Sequence, residues 1–248
     1  MLTIEAPSIK DAHGGLLAVT DVNRQAEPHV FIEGVSYDAI QGVKSRTYTQ
    51  GVDKVFDEHG VRVESVKFTL YTGIESPLFV DTATLSDAAT LFGYGETVAV
   101  EEAVQKLLLN PKAVDITPVP GTAVTNIRGA VGLLEQAAGV NITGEPLLHG
   151  NRLAVSLMRD LKVDEGNWTS RTKQGTPVAN GAGYGATGPL AAKAGEAWLY
   201  ISGPINLWVS GVEVRDARNL ETNRNHTLAE AQYVAALDTP VYAILVSL

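Results

Sequence analysis

Residues 85–110 read LSDAATLFGYGETVAVEEAVQKLLLN, and their periodicity organises everything on either side. Leu85, Ala88, Ala89, Phe92, Ala99, Val100, Ala103, Val104, Leu107 and Leu108 recur with the 3.6-residue spacing of one helical face, which predicts a helix over Ser86–Leu109 despite Gly93 and Gly95. At 1.5 Å per residue it would run about 36 Å, the width of a small domain. Asn110-Pro111 supplies the stop.

Upstream of this helix, helical period is nearly absent. Residues 1–27 are polar and irregular, the pattern of a flexible or draped arm. From His29 to Val80 the pattern is strand-like, in VFIEGV, SRTYTQGV and VRVESVKFTLYT, with Glu58-His59-Gly60 as a turn. A two-stranded ribbon is marginal alone, so this one is expected to need a neighbour to lie on. Downstream, Ala123, Val124, Ile127, Ala130, Val131, Leu134, Ala137 and Ala138 predict a helix from Thr122, its N-cap, to Gly139. A further helix is expected from about Asn151 to Leu161. TPVAN, EAWLYISG, INLWVSGVEV and PVYAILVSL read as strands, and the continuous apolar runs AWLYI and VYAILV predict burial on both faces.

The chain has 248 residues, is 45% hydrophobic and 19% charged, and carries a formal charge of −9. That supports one or two modest cores and argues against disorder. Residues 1–125 hold 9 basic and 17 acidic side chains against 10 and 11 in residues 126–248, so the acidity belongs to the arm and the long helix. Tight binding to a phosphate backbone needs clustered Lys or Arg, and this balance does not provide it. With no cysteine, disulfides, thiolate metal sites and cysteine nucleophiles are excluded. The N-terminus lacks a signal-peptide pattern and no apolar run approaches a membrane span, so a soluble protein made in the cytoplasm is expected. The sequons at Asn141, Asn167 and Asn225 are then accidental.

Candidate chemistry is sparse. Gly183-Tyr184-Gly185-Ala186-Thr187-Gly188 matches G-x-G-x-x-G, but Pro189 and Gly195 leave no room for the helix that a pyrophosphate site needs. It reads as a glycine-rich surface loop. His13, His29, His59, His149 and His226 show no metal-ligand spacing, and His149-Gly150-Asn151 reads as part of a helix cap. Glu101-Glu102 and Asp164-Glu165 are read as polar helix faces or turns, because neighbours about 100° apart on a helix cannot act as an acid–base pair. No G-x-S-x-G elbow is present. Trp198 and Tyr200 share one strand face, Trp208 opposes Ile205, Leu207 and Val209, and all three suit core or interface packing better than a sugar platform. No catalytic residue, cofactor or metal ligand is assigned.

Taken in order, these segments resemble the HK97-fold major capsid proteins of tailed bacteriophages, in particular the short actinobacteriophage type. HVFIEGVSYDAIQGV and VKFTLYTG are similar to its N-terminal arm and extended loop, and GETVAVEEAVQKLLLN to its spine helix with an A-V-E-x-A signature. AVGLLEQAAG and EPLLHGNRLAVSLMRD resemble helices of its axial domain; RTKQGTPVANGAGYGATGP and GEAWLYISGPINLWVS resemble its loop and sheet, and AEAQYVAALDTPVYAILVSL its closing strands. The resemblance covers about residues 28–248.

It implies an α+β, HK97-like capsid fold with N-terminal arm, extended β-hairpin loop, long spine helix, and peripheral and axial domains. The implied divisions are 1–28 (arm), 29–80 (extended loop and start of the peripheral domain), 81–120 (spine helix and peripheral domain), 121–225 (axial domain) and 226–248 (closing strands). It also implies a non-enzymatic subunit that self-assembles into hexamers and pentamers of an icosahedral shell around double-stranded DNA, contacted weakly and non-specifically. Such a protein would belong to the virion, assemble in the host cytoplasm, and meet separate scaffolding, portal and decoration proteins but no membrane. The chain starts directly with the arm, so a scaffold would be a separate protein. Candidate subunit-interface residues are Tyr37, Lys44, Arg46, Tyr48, Lys54, Phe56, Tyr184 and Trp208, and the candidate interface elements are the extended loop near Val35–Thr72, the spine helix and the Gly181–Gly188 loop. Lys44 and Lys54 read as solubility residues, and no cross-linking set is assignable. Two alternatives stay open: an encapsulin-like compartment or minor capsid component, and a monomeric carbohydrate-binding or hydrolytic α/β domain using Trp198, Tyr200 and Trp208.

Overall fold

The computed structural model describes residues 14–31, 33, 35–38, 62–77, 85–164 and 169–248. Along the chain, a single turn α1 (Leu16–Val19) leads to strands β1 (Asp21–Arg24), β2 (Ser36–Asp38), β3 (Arg62–Glu64) and β4 (Val66–Pro77). The long helix α2 (Leu85–Val104) continues through a π-helical turn, Gln105–Leu109, into the short α3 (Asn110–Lys112). Then come β5 (Ala113–Asp115), α4 (Ile127–Asn141), β6 (Leu147–Asn151), α5 (Arg152–Ser156), β7 (Lys162–Asp164), β8 (Ser170–Thr172) and β9 (Val178–Gly181). The chain closes with β10 (Glu196–Ser202), β11 (Asn206–Val209), β12 (Glu213–Asn219), β13 (Arg224–Ala236) and β14 (Val241–Ser247).

Two five-stranded sheets organise these elements. In the first, β13 is central: it pairs antiparallel with β4, β11 and β12, while β1 joins the far side of β11 in parallel. The second runs β5-β14-β10-β6-β9. Its two middle strands explain why AWLYI and VYAILV are apolar without alternation. Trp198 and Tyr200 of β10, with Val241, Ala243 and Leu245 of β14, face a core shared with α2 and the first sheet. Their sequence neighbours Ala197, Leu199, Ile201, Ile244 and Val246 face a second core closed by α4 and α5. Successive side chains of a strand point to opposite faces, so a strand between two cores must be apolar throughout.

Several sequence expectations need correction. Of the two forms expected for the arm, flexible or draped, residues 14–24 take the draped one: Leu16 is fully buried, and Asp21–Arg24 is registered on Asn206–Val209. VFIEGV does not form a strand where it is described; Pro28–Phe31 is a turn, with His29 in the left-handed region at φ 57°. The ribbon portion Val66–Pro77 lies on its own chain's β13 along nearly its whole length, and Val66, Phe68, Leu70 and Ile74 pack into the first core. Phe68 stacks on its cross-strand partner Tyr233 at 5.4 Å between ring centres, an alignment that adds to their burial. The second predicted helix starts at Ile127, capped by Asn126 accepting from the Gly129 N–H at 3.3 Å; Thr122 precedes it in a turn, and Val124 bridges to Val246. The third predicted helix is only Arg152–Ser156, and the chain before it is β6. The expected Glu58–Gly60 turn lies outside the described residues. No helix among the described residues is long and apolar enough to cross a membrane.

Candidate functional site

The buried face of α2 is not the purely apolar stripe that its spacing suggests. Phe92, Val100, Val104 and Leu108 are buried, but so are Glu101 (0% exposed) and Gln105 (2%), whereas Leu85 and Leu107 are exposed. Glu101 is therefore not part of a solvated acid pair; only Glu102 faces water. The Glu101 carboxylate accepts the Gly183 N–H at 2.8 Å through Oε2 and the Leu16 N–H at 3.0 Å through Oε1. One turn later, Gln105 Oε1 accepts the Gly185 N–H at 2.7 Å, and its Nε2 donates to the Thr187 carbonyl at 2.8 Å and the Gly185 carbonyl at 3.2 Å. Asn110 completes the row, its Oδ1 accepting the Tyr200 hydroxyl at 2.7 Å.

The π turn makes this row possible. In a regular α-helix, Asn110 would sit about 140° around the axis from Gln105, since five residues sweep about 500°. The wider turn over Gln105–Leu109 brings position i+5 close to alignment with i. One continuous helix thereby presents three polar side chains to one glycine-rich loop. The loop answers with close approach, not left-handed backbone: a Cβ at Gly183 would stand 2.2 Å from the Val98 carbonyl oxygen, and one at Gly188 2.2 Å from Trp198 Cδ1. This replaces the surface-loop expectation with a loop docked on α2. Burial pushes the Glu101 carboxyl above its ordinary value, opposed by the N–H groups it accepts and by Arg152. Burial likewise raises the Tyr200 hydroxyl to about 12.

A second buried network lies behind the loop. His149, in β6 and not in a cap, has Nδ1 2.9 Å from the Tyr184 hydroxyl and Nε2 2.9 Å from Ser202 Oγ. Ser202 donates to the Gly203 carbonyl at 2.8 Å, so it accepts from Nε2–H and Nδ1 accepts from Tyr184. The ring is a neutral tautomer, and full burial lowers its pKa to about 3. A serine beside a histidine has the composition of a nucleophile and base. Here the hydroxyl points its proton away from the imidazole, and both side chains are wholly buried.

The sequence-selected residues scatter. Tyr37 lies in β2 beside Leu237 and Asp238; burial, then the Asp238 charge, raise its hydroxyl to about 12. Tyr184 is an interior residue, and its hydroxyl anchors the glycine-rich loop to His149. Trp208 is half-buried on β11, opposite the fully buried Leu207 and Val209. Lys44, Arg46, Tyr48, Lys54 and Phe56 lie outside the described residues. Trp198 and Tyr200 are core side chains, 2% and 0% exposed, with Trp198 Nε1 donating to the Leu190 carbonyl at 2.8 Å. They form no carbohydrate platform. Sequence reasoning missed Glu101, Gln105, Asn110 and His149; the available signal was the i, i+4 spacing of Glu101 and Gln105 beside buried Val100 and Val104.

No protein-family model matches the sequence, and no curated protein matches it either. Solved structures do match in shape. The capsid of the native GTA particle aligns with a TM-score of 0.59 at 12% identity, covering 100% of this chain and 95% of that one. The fold is that of a phage-type capsid subunit. A chain from Mycobacterium phage Cain aligns at 0.57 and 12% identity over 97% and 94% of the two chains. The virus-like particle of Pyrococcus furiosus aligns at 0.53 and 14% identity over 93% and 92%. The capsid fold therefore spans the chain and is not confined to one part of it.

Proposed function

We propose that this chain is a structural shell subunit, a major capsid protein that associates into hexamers and pentamers of an icosahedral shell enclosing double-stranded DNA. The observation that carries this reading is end-to-end agreement with capsid chains, 100% of this chain against 95% of the GTA capsid protein, despite 12% identity. In this reading α2 is the spine helix. The body built on β13 is the peripheral part, and the α4–α5 core forms the axial part. The extended loop of this reading is the one the sequence suggests near Val35–Thr72. Tyr37, Lys44, Arg46, Tyr48, Lys54, Phe56 and Trp208, with the loop anchored by Tyr184, are the subunit contacts. The subunit works by association, not by turnover, and resides in the virion.

An acidic chain of net charge −9 suits a DNA container, since a basic lining would hold the genome in place by phosphate contacts. Light scattering on a sizing column, with electron microscopy of the same fractions, tests the reading. Rings of five or six, or closed shells, support it; a chain that stays monomeric even with a co-expressed scaffold overturns it. A virus-like particle that is not called a phage capsid, that of Pyrococcus furiosus, shares the fold, and we keep as a second reading an encapsulin-like compartment. Nuclease-resistant DNA in the particles favours the capsid, and a packaged protein favours the compartment.

A further inference from the structure

Glu213 and Glu230 are direct cross-strand partners on β12 and β13. Like charges placed opposite each other in a sheet repel, so this pairing needs a cation between them. His29 approaches from the left-handed turn before β2. Its Nε2 is hydrogen-bonded to Glu213 Oε2 and lies 3.6 Å from Glu230 Oε1. One ligand atom from each of the three residues lies within 4.8 Å of the others. Two ligands bonded at about 2.0–2.2 Å to one tetrahedral zinc ion stand about 3.3–3.6 Å apart. His29 Nε2 and Glu230 Oε1 already have that spacing, and the ion would replace the direct His29–Glu213 hydrogen bond, which has to open to admit it. The side chains are 32%, 29% and 15% exposed for His29, Glu213 and Glu230, which removes much of the competing water.

We propose that His29, Glu213 and Glu230 form a binding site for one first-row divalent transition-metal ion, Zn²⁺ being the fitting probe, with Arg215 as a displaceable counter-cation. Arg215 pairs with Glu230 through Nη2 and lies 3.5 Å from Glu213 Oε1 through Nε, yet its side chain is 54% exposed. Two carboxylates against one guanidinium leave the site with one negative charge in excess. Replacing Arg215 by a dication, with the arginine swung into water, balances it. One imidazole nitrogen with two carboxylate oxygens suits Zn²⁺ and its neighbours. Mg²⁺ prefers oxygen ligands alone and keeps its waters. The bound ion would pin the Pro28–Phe31 turn to the β12–β13 pair, where the Phe31 N–H already donates to Gln232 Oε1 at 3.2 Å. This site is independent of the shell reading, because all its ligands come from one chain.

The test is calorimetric titration of chelator-stripped full-length protein with ZnCl₂ and, separately, MgCl₂. Expected are one Zn²⁺ per chain, a raised Tm with Zn²⁺, and neither with Mg²⁺. His29→Ala and Glu230→Gln should each weaken Zn²⁺ binding by about tenfold or more. Arg215→Ala removes the competitor and should tighten binding several-fold, an effect that a merely structural arginine would not produce. If the ligand variants fail to fold, X-ray absorption of the Zn²⁺-loaded wild type decides: one imidazole with oxygen neighbours supports the site. No heat with Zn²⁺, unchanged affinity in folded His29→Ala, or weaker binding in Arg215→Ala would each overturn the proposal.

Discussion

The fully buried carboxylate of Glu101 holds the backbone of Gly183 at 2.8 Å, across 82 residues of sequence. The same carboxylate holds Leu16, so a single side chain on α2 fastens both the N-terminal segment and the glycine-rich loop. Removing it strands two buried donors. Glu101→Ala should cost about 3 kcal/mol, in the range for buried hydrogen-bond partners left unmade. Urea unfolding of wild type and variant measures this, and a loss below about 0.5 kcal/mol would deny Glu101 this role.

The pH dependence of that latch has a definite sign. Burial raises the folded pKa of Glu101 above 4.5, so in the interval just above 4.5 the folded state holds more protons than the unfolded one. The group's contribution is then greatest below pH 4.5 and declines as pH rises through the folded pKa. Glutamine does not titrate. The stability difference between wild type and Glu101→Gln should therefore fall with rising pH in the acid range and level off above it. A difference that rises with pH would contradict the direction.

His149 gives the opposite slope. Its folded pKa of about 3 lies below the ordinary 6.5, so between these values only the unfolded chain takes up the proton. Its contribution is complete above pH 6.5 and is lost as pH falls toward 3, by up to about 1.4 kcal/mol per pH unit. Replacing it by Asn costs packing at every pH, but should flatten the profile between pH 6 and 4. Chemical unfolding at several pH values checks this, and an unchanged slope would show that His149 titrates elsewhere than in the buried network.

Two glycines of one loop should respond differently to the same methyl group. Gly183→Ala pushes a carbon against the Val98 carbonyl and should cost about 2 kcal/mol or more. At Gly185 the nearest atom is Gln105 Oε1 at 3.8 Å, and alanine should stay within about 0.5 kcal/mol of wild type. Thermal unfolding of the two variants is enough to compare them.

Assembly has its own test. Deleting residues 40–60 should leave a soluble, helix-containing protein, seen by circular dichroism, that forms no shells under the electron microscope. Normal particles from that deletion would remove the loop from the assembly mechanism.

What could be read from sequence was what repeats locally. The period through Phe92, Val100, Val104 and Leu108 located the long helix, and the unbroken apolar runs around Leu199 and Ile244 located strands covered on both faces. What escaped depends on partners distant in sequence. Glu101 looked solvated because nothing nearby announces the N–H groups of Leu16 and Gly183. Asp21–Arg24 looked loose because a four-residue strand has no period of its own and takes its order from β11. The helix start was misplaced because Thr122 and Asn126 are both competent caps, and the bridge of Val124 to Val246 selects the second. His29 meets Glu213 across 184 positions, a distance at which no ligand spacing can be recognised.

Because Trp198 and Leu199 are adjacent yet belong to different cores, the sheet that carries them acts as a party wall. A load applied to the α4–α5 side passes through one layer of backbone into the body around β13. Neither side can slide past the other without breaking packing made by alternate residues of the same two strands, β10 and β14.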